Sequence, residues 1–212
     1  MSKCAEISAA VQRGRAAVVK DLVKEALEGI PAETILNEGL LAAMDVVGEQ
    51  FKNGDLYVPE MMAAARAMNA GMEILKPHLI DAGVKPIGKA ALGTVKGDLH
   101  DIGKNLVRMM FEGKGIEVVD LGVDVPADRF LEAYENDGAT IIACSALLTT
   151  TMNEMQTVVE LFKEKGHRDA VTIMIGGAPI TQAFCELIGA DYYSPDAASS
   201  ADLARKVLLE GK

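Results

Sequence analysis

The sequence predicts an α/β protein in which an N-terminal four-helix bundle is followed by a doubly wound, five-stranded parallel sheet. Three observations predict this fold. Over roughly the first 80 residues, apolar residues recur only three or four positions apart, which is the spacing of one helix face. Residues 81–86 contain Gly83 and Pro86 and indicate a linker. Short apolar runs then alternate with helical stretches, so we expect a helical cap domain over residues 1–83 and a Rossmann-like domain over residues 84–212.

The composition argues against several classes of function. The 212 residues carry a formal net charge of −10, which disfavours a nucleic-acid partner, because such binding rests on clustered lysine and arginine. No apolar run approaches the roughly 18–20 residues that span a bilayer, and the first residues do not open a signal peptide. We therefore expect a cytoplasmic protein with no membrane partner. The three cysteines, Cys4, Cys144 and Cys185, share no metal-ligand spacing and are expected to be reduced and structural.

Four helices are predicted ahead of the linker. The first is short and lies near residues 4–13, and the second ends at Gly29. The third begins at Pro31 and ends at the turn signal Asn53-Gly54, and the fourth begins at Pro59. The apolar stripes of the last three helices are Val18, Val19, Leu22, Val23, Ala26 and Leu27; Leu36, Leu40, Met44, Val47 and Phe51; and Met61, Ala65, Met68, Met72, Leu75 and Leu79. One apolar face on each helix predicts a small antiparallel bundle.

Five strand-helix units are predicted after the linker. The strands lie near residues 89–95, 116–121, 140–145, 171–176 and 191–194, and the helices near 103–113, 127–136, 151–165, 179–188 and 197–209. Because crossovers between parallel strands are right-handed, such sheets gather ligands beyond the carboxyl ends of their strands, at the switch point. In a flavodoxin-like strand order that point lies between strands one and three. Asp120 and Asp124 bracket the exit of strand two, as acids that bind a ribose would, but they are interpreted as residues of a solvated loop.

Residues 97–103, with the sequence Gly-Asp-Leu-His-Asp-Ile-Gly, follow the first predicted strand and form an unusual loop. Asp98 lies two residues from His100, so its carboxylate can accept a hydrogen bond from one imidazole nitrogen and leave the other free for a metal. Ser145, at the end of the third strand, is expected to hydrogen-bond Asp98 across the switch point. No further ligand has a sensible spacing, so the metal must arrive with most of its ligands attached, as in a macrocycle.

The spacing of three short motifs resembles the signature of base-off, histidine-on cobalamin-binding domains. Residues Asp98-Leu-His100-Asp-Ile-Gly103 are followed by 41 residues to Ser145-Ala-Leu147, and then by 28 residues to Gly176-Gly177. Residues 47–64 are similar to the helical cap that precedes the same domain in cobalamin-dependent methionine synthase and in small corrinoid proteins of methyl transfer. Cap and domain together fill the chain, which looks most like the corrinoid proteins of methylamine, methanol or betaine methyltransferase systems.

The resemblance implies roles for individual residues around a cobalamin cofactor. His100 would be the cobalt ligand, and Asp98 and Ser145 would tune and protonate it. The displaced base of the cofactor would enter a slot lined by Gly103, Ser145, Leu147, Gly176 and Gly177. Asp101 and Ile102 continue the motif and are included among the cofactor-binding residues, and Met61 and Met62 of the cap are candidates to cover the methyl group. Glycines after strands one and four fit this expectation, because they remove side chains where a bulky group passes close to the backbone.

The same resemblance implies a non-catalytic subunit that carries a methyl group in one-carbon metabolism or methanogenesis. Its expected partners are a substrate-specific methyltransferase, acting on a methylated amine or betaine, an acceptor methyltransferase acting on a thiol or tetrahydrofolate, and a reductive activase. Three alternatives remain open. A cobalamin-dependent sensor and the small subunit of a mutase share parts of the signature. A flavodoxin-like nucleotide binder shares the fold, although Asp98 and Asp101 place repelling charge where phosphate would bind.

Overall fold

The structure, a computed structural model, describes residues 2–210. It divides into two compact units. The helical unit comprises the residues up to Pro86 together with Gly113–Gly115, and the sheet unit comprises Ile87–Glu112 and the residues from Ile116 onward. Between residues 2 and 210, no helix combines the length and the apolar character needed to cross a membrane.

The helical unit is the predicted four-helix bundle. Its helices are α1 (Lys3–Gln12), α2 (Ala16–Ala26), α3 (Ala32–Thr34), α4 (Ala42–Asn53) and α5 (Val58–Asp81), and a π-helical segment, Ile35–Leu41, joins α3 to α4 into one continuous rod. The long helix α5 begins with a capping box, in which the backbone N–H of Tyr57 donates to the Glu60 carboxylate at 2.9 Å. The predicted stripe residues Met44, Val47 and Met68 are buried, as expected for a core-facing stripe.

The π-helical segment is a feature that helical periodicity did not predict. The sequence pattern assigned Leu36 and Leu40 to one stripe, whereas Ile35 is fully buried and Leu36 is only half-buried. The backbone N–H of Ala42 donates to the carbonyl of Asn37, five residues earlier, so the turn is wider than an α-helical turn. The wider turn brings Ile35 and Leu40, five residues apart, into the core together.

The sheet unit contains five parallel strands and five helices. The strands are β1 (Gly88–Val95), β2 (Ile116–Val125), β3 (Ile141–Ser145), β4 (Thr172–Gly176) and β5 (Tyr192–Tyr193), and the helices are α6 (Ile102–Glu112), α7 (Ala127–Asp137), α8 (Glu154–Glu164), α9 (Gln182–Ile188) and α10 (Ala197–Glu210). Their order across the sheet, β2-β1-β3-β4-β5, confirms the predicted doubly wound, flavodoxin-like arrangement. The switch point lies between β1 and β3, where the predicted loop emerges.

The two faces of the sheet differ at the carboxyl ends of the strands. On one face, apolar residues of the strands form a core with α7, α8 and α9, and Ala91, Ile142 and Ile173 belong to it. Because side chains alternate along a strand, Thr94, Ser145 and Gly176 point to the opposite face, on which α6 packs. These three residues pair in register across β1, β3 and β4. A row of small residues therefore crosses the carboxyl edge of the sheet on the α6 face.

Candidate functional site

The loop between β1 and α6 is held in a defined conformation by backbone contacts. Gly97 has a φ of +79°, a left-handed conformation that glycine adopts without strain. The hydroxyl of Thr94, which is fully buried near the end of β1, donates to the carbonyl oxygen of His100 at 2.8 Å. The loop therefore turns back on the strand that precedes it, and this turn presents His100 at the carboxyl edge of the sheet.

Asp98 and His100 form the hydrogen-bonded pair that the sequence predicts. The Nδ1 atom of His100 lies 2.7 Å from the Oδ1 atom of Asp98, and the backbone N–H of His100 donates to the same oxygen at 3.1 Å. The Asp98 side chain is fully buried, whereas the His100 side chain is 50% exposed. An ionised carboxylate can only accept, so Nδ1 carries the proton and the lone pair of the neutral imidazole is on Nε2. The half-exposed ring can therefore offer Nε2 to a metal ion.

The second oxygen of the Asp98 carboxylate binds the loop after β3. It accepts hydrogen bonds from the backbone N–H groups of Leu147 at 2.7 Å and Leu148 at 3.3 Å, and from the hydroxyl of Thr151 at 2.9 Å. Burial raises the pKa of Asp98, but the hydrogen bonds from Leu147, His100 and Thr151 outweigh it and hold the pKa well below its usual range. Asp98 is thus a buried carboxylate that is ionised at neutral pH and links the loops after β1 and β3.

Thr151 takes the position that the sequence analysis gave to Ser145. The prediction that Ser145 would hydrogen-bond Asp98 is wrong for this structure, because the partners of the Asp98 carboxylate within residues 2–210 are His100, Leu147, Leu148 and Thr151. Ser145 still belongs to β3 and is paired in the sheet with Thr94 and Gly176. The hydroxyl that reaches Asp98 comes six residues later, after the loop has folded back. Three consecutive threonines, residues 149–151, were the available signal in the sequence.

The glycines of the three motifs have different surroundings. A Cβ atom on Gly177, whose φ is +135°, would lie 1.8 Å from the carbonyl oxygen of Ala146, so this glycine permits contact between the loops after β3 and β4. A Cβ atom on Gly176 would lie 3.3 Å from the Ser194 carbonyl oxygen, which is also a tight contact. Around Gly103, in the first turn of α6, there is open space within 4 Å. Gly103 therefore has room beside it for a ligand group that approaches the backbone.

Apolar side chains of the same two loops are exposed. Leu99 and Ile102 flank His100 in sequence, and they are 72% and 71% exposed. Leu147 and Leu148, whose N–H groups bind Asp98, are also exposed. Clustered apolar surface of this kind marks a binding site more often than scattered single residues do. These side chains would contact an apolar ligand bound beside His100.

The remaining predicted cofactor residues are Asp101, Ile102, Met61 and Met62. The Asp101 carboxylate accepts a hydrogen bond from the Asn105 side chain at 3.2 Å, one turn along α6. Met61 is fully buried and Met62 is half-buried. Their predicted contact with the cofactor stays a prediction, as does the role given to Ile102.

Asp120 and Asp124 lie in β2 and not in a loop, although both residues are exposed to solvent as the sequence interpretation expects. The Asp120 carboxylate accepts hydrogen bonds from the buried Lys104 at 2.6 Å and from Arg108 at 2.9 Å. Burial raises the pKa of Asp120, but the Lys104 hydrogen bond and other contacts lower it below the usual value overall. Asp124 binds the backbone N–H of Gly97 at 2.6 Å. Asp120 therefore links β2 to α6, and Asp124 links β2 to the loop after β1.

The donor set fits a metal that brings its own equatorial ligands. Among the described residues, no three His, Cys, Asp or Glu side chains come together as a metal-binding group. Cys4, Cys144 and Cys185 are free and buried, and burial raises the pKa of Cys144 to about 12, so it stays a protonated thiol. The site would hold a corrinoid through the half-exposed His100 imidazole, which has a carboxylate behind it. Exposed apolar side chains and the open space beside Gly103 would give the corrinoid room next to this ligand.

Comparisons with known proteins agree with this geometry. Two family models, each described as a B12 binding domain, match residues 88–202 and residues 4–76. Dimethylamine corrinoid protein 3 of Methanosarcina acetivorans is 41% identical over 204 residues, which cover 96% of each chain. Trimethylamine corrinoid protein 1 of the same organism is 44% identical over 192 residues, which cover 89% of each chain.

A solved structure matches nearly the whole chain as well. The crystal structure of the methanol:cobalamin methyltransferase complex from Methanosarcina barkeri is similar, with a TM-score of 0.86 and 29% identity over 96% of this chain and 78% of that chain. Fold, site and relatives together define a B12-binding protein with a corrinoid cofactor. More particularly, the chain belongs to the corrinoid proteins of methyltransferase systems that act on methylamines and methanol. The predicted family, fold and cofactor are thereby confirmed.

Proposed function

We propose that this protein binds cobalamin in the base-off, histidine-on form and carries a methyl group between two methyltransferases. The observation that carries the proposal is the Asp98–His100 pair, whose 2.7 Å hydrogen bond occupies Nδ1 and leaves Nε2 on a half-exposed ring. When bound, the corrinoid supplies a cobalt centre that accepts and releases a methyl group. The chain's own contribution is to fix the ring, its tautomer and its basicity.

The proposed slot for the displaced base lies between the sheet and α6. Thr94, Ser145 and Gly176 form the row of small residues on that face, and Gly103, in the first turn of α6, has open space where a Cβ atom would lie. Larger side chains in this row would fill the gap between strand and helix. The alignment of the row in register supports a continuous channel rather than separate small gaps.

A methylated amine is the proposed methyl source. Two relatives that match nearly the full chain are named as dimethylamine and trimethylamine corrinoid proteins, and the match to a methanol methyltransferase complex has lower identity. We propose as partners an amine-specific methyltransferase, a second methyltransferase that passes the group to a thiol or to tetrahydrofolate, and a reductive activase that restores oxidised cobalt. Incubating the loaded protein with methyltransferases for mono-, di- and trimethylamine, betaine and methanol tests the source. Methylation only by the methanol enzyme would contradict it.

Histidine ligation is tested by electron paramagnetic resonance of the Co(II) form with ¹⁵N-labelled histidine and unlabelled cobalamin. Ligation by His100 is expected to give a doublet in each cobalt line, whereas ligation by the cofactor's own base gives a triplet. The chain has three histidines, so His100→Ala should remove the doublet and His78→Ala should leave it unchanged. A triplet in the labelled wild-type protein would contradict the base-off form.

The tail slot is tested with cobinamide, a corrinoid that lacks the nucleotide tail. We expect Gly103→Ala to weaken binding of cobalamin while binding of cobinamide is unchanged, because the added methyl group enters only the slot. Equal weakening of cobalamin binding and cobinamide binding by Gly103→Ala would argue against the slot.

Thr151→Val keeps the shape of the side chain but removes one of the hydrogen bonds to Asp98. Loss of one such bond to a charged group corresponds to about 1.5–3 kcal/mol, so the His100 doublet should weaken but persist.

A further inference from the structure

Asp124, at the exposed end of β2, contacts the turn that precedes His100 in two ways. Its carboxylate oxygen accepts a hydrogen bond from the backbone N–H of Gly97 at 2.6 Å. Its own backbone N–H donates to the carbonyl oxygen of Asp98 at 2.9 Å. One residue of a neighbouring strand therefore binds both ends of the Gly97–Asp98 peptide. We propose that Asp124 is a positioning residue for cobalt ligation by His100, an inference that rests on the proposed histidine-on function.

The backbone of Asp124 is held in an unusual conformation. Its φ is 54°, and among the described residues it is the one non-glycine residue with a positive φ. Aspartate tolerates this left-handed conformation better than most residues, but it still has a cost, and such strain persists where surrounding structure enforces it. Here the strained conformation directs the Asp124 N–H and carboxylate toward the same turn. The strain thus serves the contact with Gly97 and Asp98.

Two irregularities interrupt the pairing of β1 with β2 close to Asp124. Leu92 pairs with Asp120, but the next residue, Gly93, pairs with Gly122, and Val95 pairs with Val125. Each shift adds one residue to β2 relative to β1, as in a β-bulge, and bulges re-aim side chains next to functional sites. Without the shifts Asp124 would pair with Lys96, whereas with them it precedes Val125, the partner of Val95.

The contacts form a chain that ends at the imidazole. Asp124 holds the main chain of Asp98 from the β2 side, while Leu147 and Thr151 hold its carboxylate from the β3 side. Asp98 then holds the imidazole of His100 through Nδ1. With both its main chain and its side chain anchored, Asp98 can orient the ring. The hydrogen bonds of Asp124 to this loop go to Gly97 and Asp98 and not to the imidazole, so its effect on the ring must act through Asp98.

Three variants separate the Asp124 hydrogen bond from the backbone conformation. Asp124→Gly removes the acceptor and also relieves the positive φ, whereas Asp124→Ala removes the acceptor and keeps the strain. Asp124→Asn is the matched control, because its amide oxygen can still accept from Gly97 and asparagine tolerates this conformation. Each protein is labelled with ¹⁵N-histidine and loaded with unlabelled cobalamin, and the ratio of histidine-ligated to unligated Co(II) is read from the resonance spectrum. Urea unfolding of the cofactor-free proteins is measured in parallel.

We expect Asp124→Gly to lower the histidine-ligated to unligated ratio by about fivefold, the effect of losing roughly one net hydrogen bond, while its unfolding midpoint stays close to that of the wild type. Asp124→Asn should restore the wild-type ratio. A wild-type ratio in Asp124→Gly overturns the inference and leaves the proposed function intact, as does a loss in Asp124→Asn equal to that in Asp124→Gly. If the labelled wild-type protein lacks the ¹⁵N doublet, both the inference on Asp124 and the proposed histidine-on function are overturned.

A measurement on the unaltered protein covers the case in which the glycine and alanine variants do not fold. The Gly97 amide, bound to Asp124, should exchange its hydrogen at least about tenfold more slowly than an unbonded loop amide would. Asp124→Asn should keep this protection. Exchange of the Gly97 amide at the rate of an unprotected loop would overturn the inference without reference to any variant.

Discussion

Charged side chains are used differently in the two units of the molecule. In the helical unit, Lys3 pairs with Glu25 and Lys20 with Glu73 between helices, and these four side chains are 36–69% exposed. In the sheet unit, the fully buried Asp98 accepts five hydrogen bonds from two loops. Exposed pairs contribute little stability, whereas a buried charge requires every one of its partners. We therefore expect substitutions around Asp98 to cost more stability than substitutions in the exposed ion pairs of the helical unit.

The largest expected effect is on the sheet unit, from Gly177→Ala. The added methyl group would lie 1.8 Å from the Ala146 carbonyl oxygen, and a φ of +135° is unfavourable for alanine. Backbone must move, so we expect the free energy of unfolding to fall by about 3 kcal/mol or more, measured by urea denaturation of the cofactor-free protein. Gly103→Ala is the matched control and should be neutral or stabilising by up to about 1 kcal/mol, because it has open space and lies in a helix. Similar losses in both variants would contradict this distinction.

A loss of about 2–3 kcal/mol is expected from Asp98→Asn, with a distinctive dependence on pH. The folded-state pKa of Asp98 is lowered, so its contribution is present above the unfolded-state value of about 3.9 and is lost as pH falls through the folded value. The stability gap between the wild-type and variant proteins should therefore shrink below about pH 4, in urea titrations from pH 7 to pH 3. An asparagine amide would also favour the His100 tautomer with its proton on Nε2, which removes the cobalt-binding lone pair. If the difference in free energy of unfolding between the wild-type protein and Asp98→Asn did not change with pH, the ionised form of Asp98 would not be the cause of that difference.

A smaller effect is expected in the helical unit from Gly71→Ala. A Cβ atom here would lie 2.9 Å from Cγ1 of Val19 and 3.0 Å from Cδ2 of Leu40, where α5 packs against neighbouring helices. Overpacking costs about 1–3 kcal/mol and is offset by the helix propensity of alanine, so a net loss of about 1 kcal/mol is expected in urea unfolding. Histidine ligation of cobalt should be unchanged. Gly29→Ala, which has open space around the new methyl group, is the control and should be nearly neutral.

The smallest expected effect comes from Lys20→Met. It removes the ion pair with Glu73, whose atoms are 2.8 Å apart, from side chains that are 40% and 69% exposed. Screening by water and salt limits such pairs to about 0.5 kcal/mol, so the unfolding midpoint should scarcely move. A loss as large as that of Asp98→Asn would remove the contrast between the two units.

Most of the fold was accessible from the sequence because hydrophobic periodicity determines it. Strand-helix alternation predicted all five strands and the position of the switch point, and the apolar stripes predicted the bundle. The π-helical segment, Ile35–Leu41, was missed because it differs from an α-helix by one residue per turn, and the apolar residues there allow either spacing. Tertiary packing, with Ile35 in the core, selects the wider turn.

The site was predicted where its residues are neighbours in sequence and missed where they meet through folded loops. Asp98 and His100 are two residues apart, so their hydrogen bond followed from local geometry. Thr151 reaches Asp98 from the loop after β3, and Asp124 reaches the turn at Gly97 from the end of β2, so both contacts depend on the fold and not on nearness in sequence. Ser145 was chosen instead of Thr151 because it ends a strand. The end of β3 determines where the loop begins, but it does not determine which hydroxyl in that loop donates a hydrogen bond to Asp98.

The hydrogen bond between Nδ1 of His100 and Asp98 has a consequence for acidity. With that nitrogen occupied, the ring can take up a further proton only at Nε2, the atom that would also face cobalt. Protonation and coordination of the imidazole are therefore mutually exclusive events at a single atom. If the ring binds cobalt as proposed, a proton on Nε2 would have to leave before that atom could coordinate the metal.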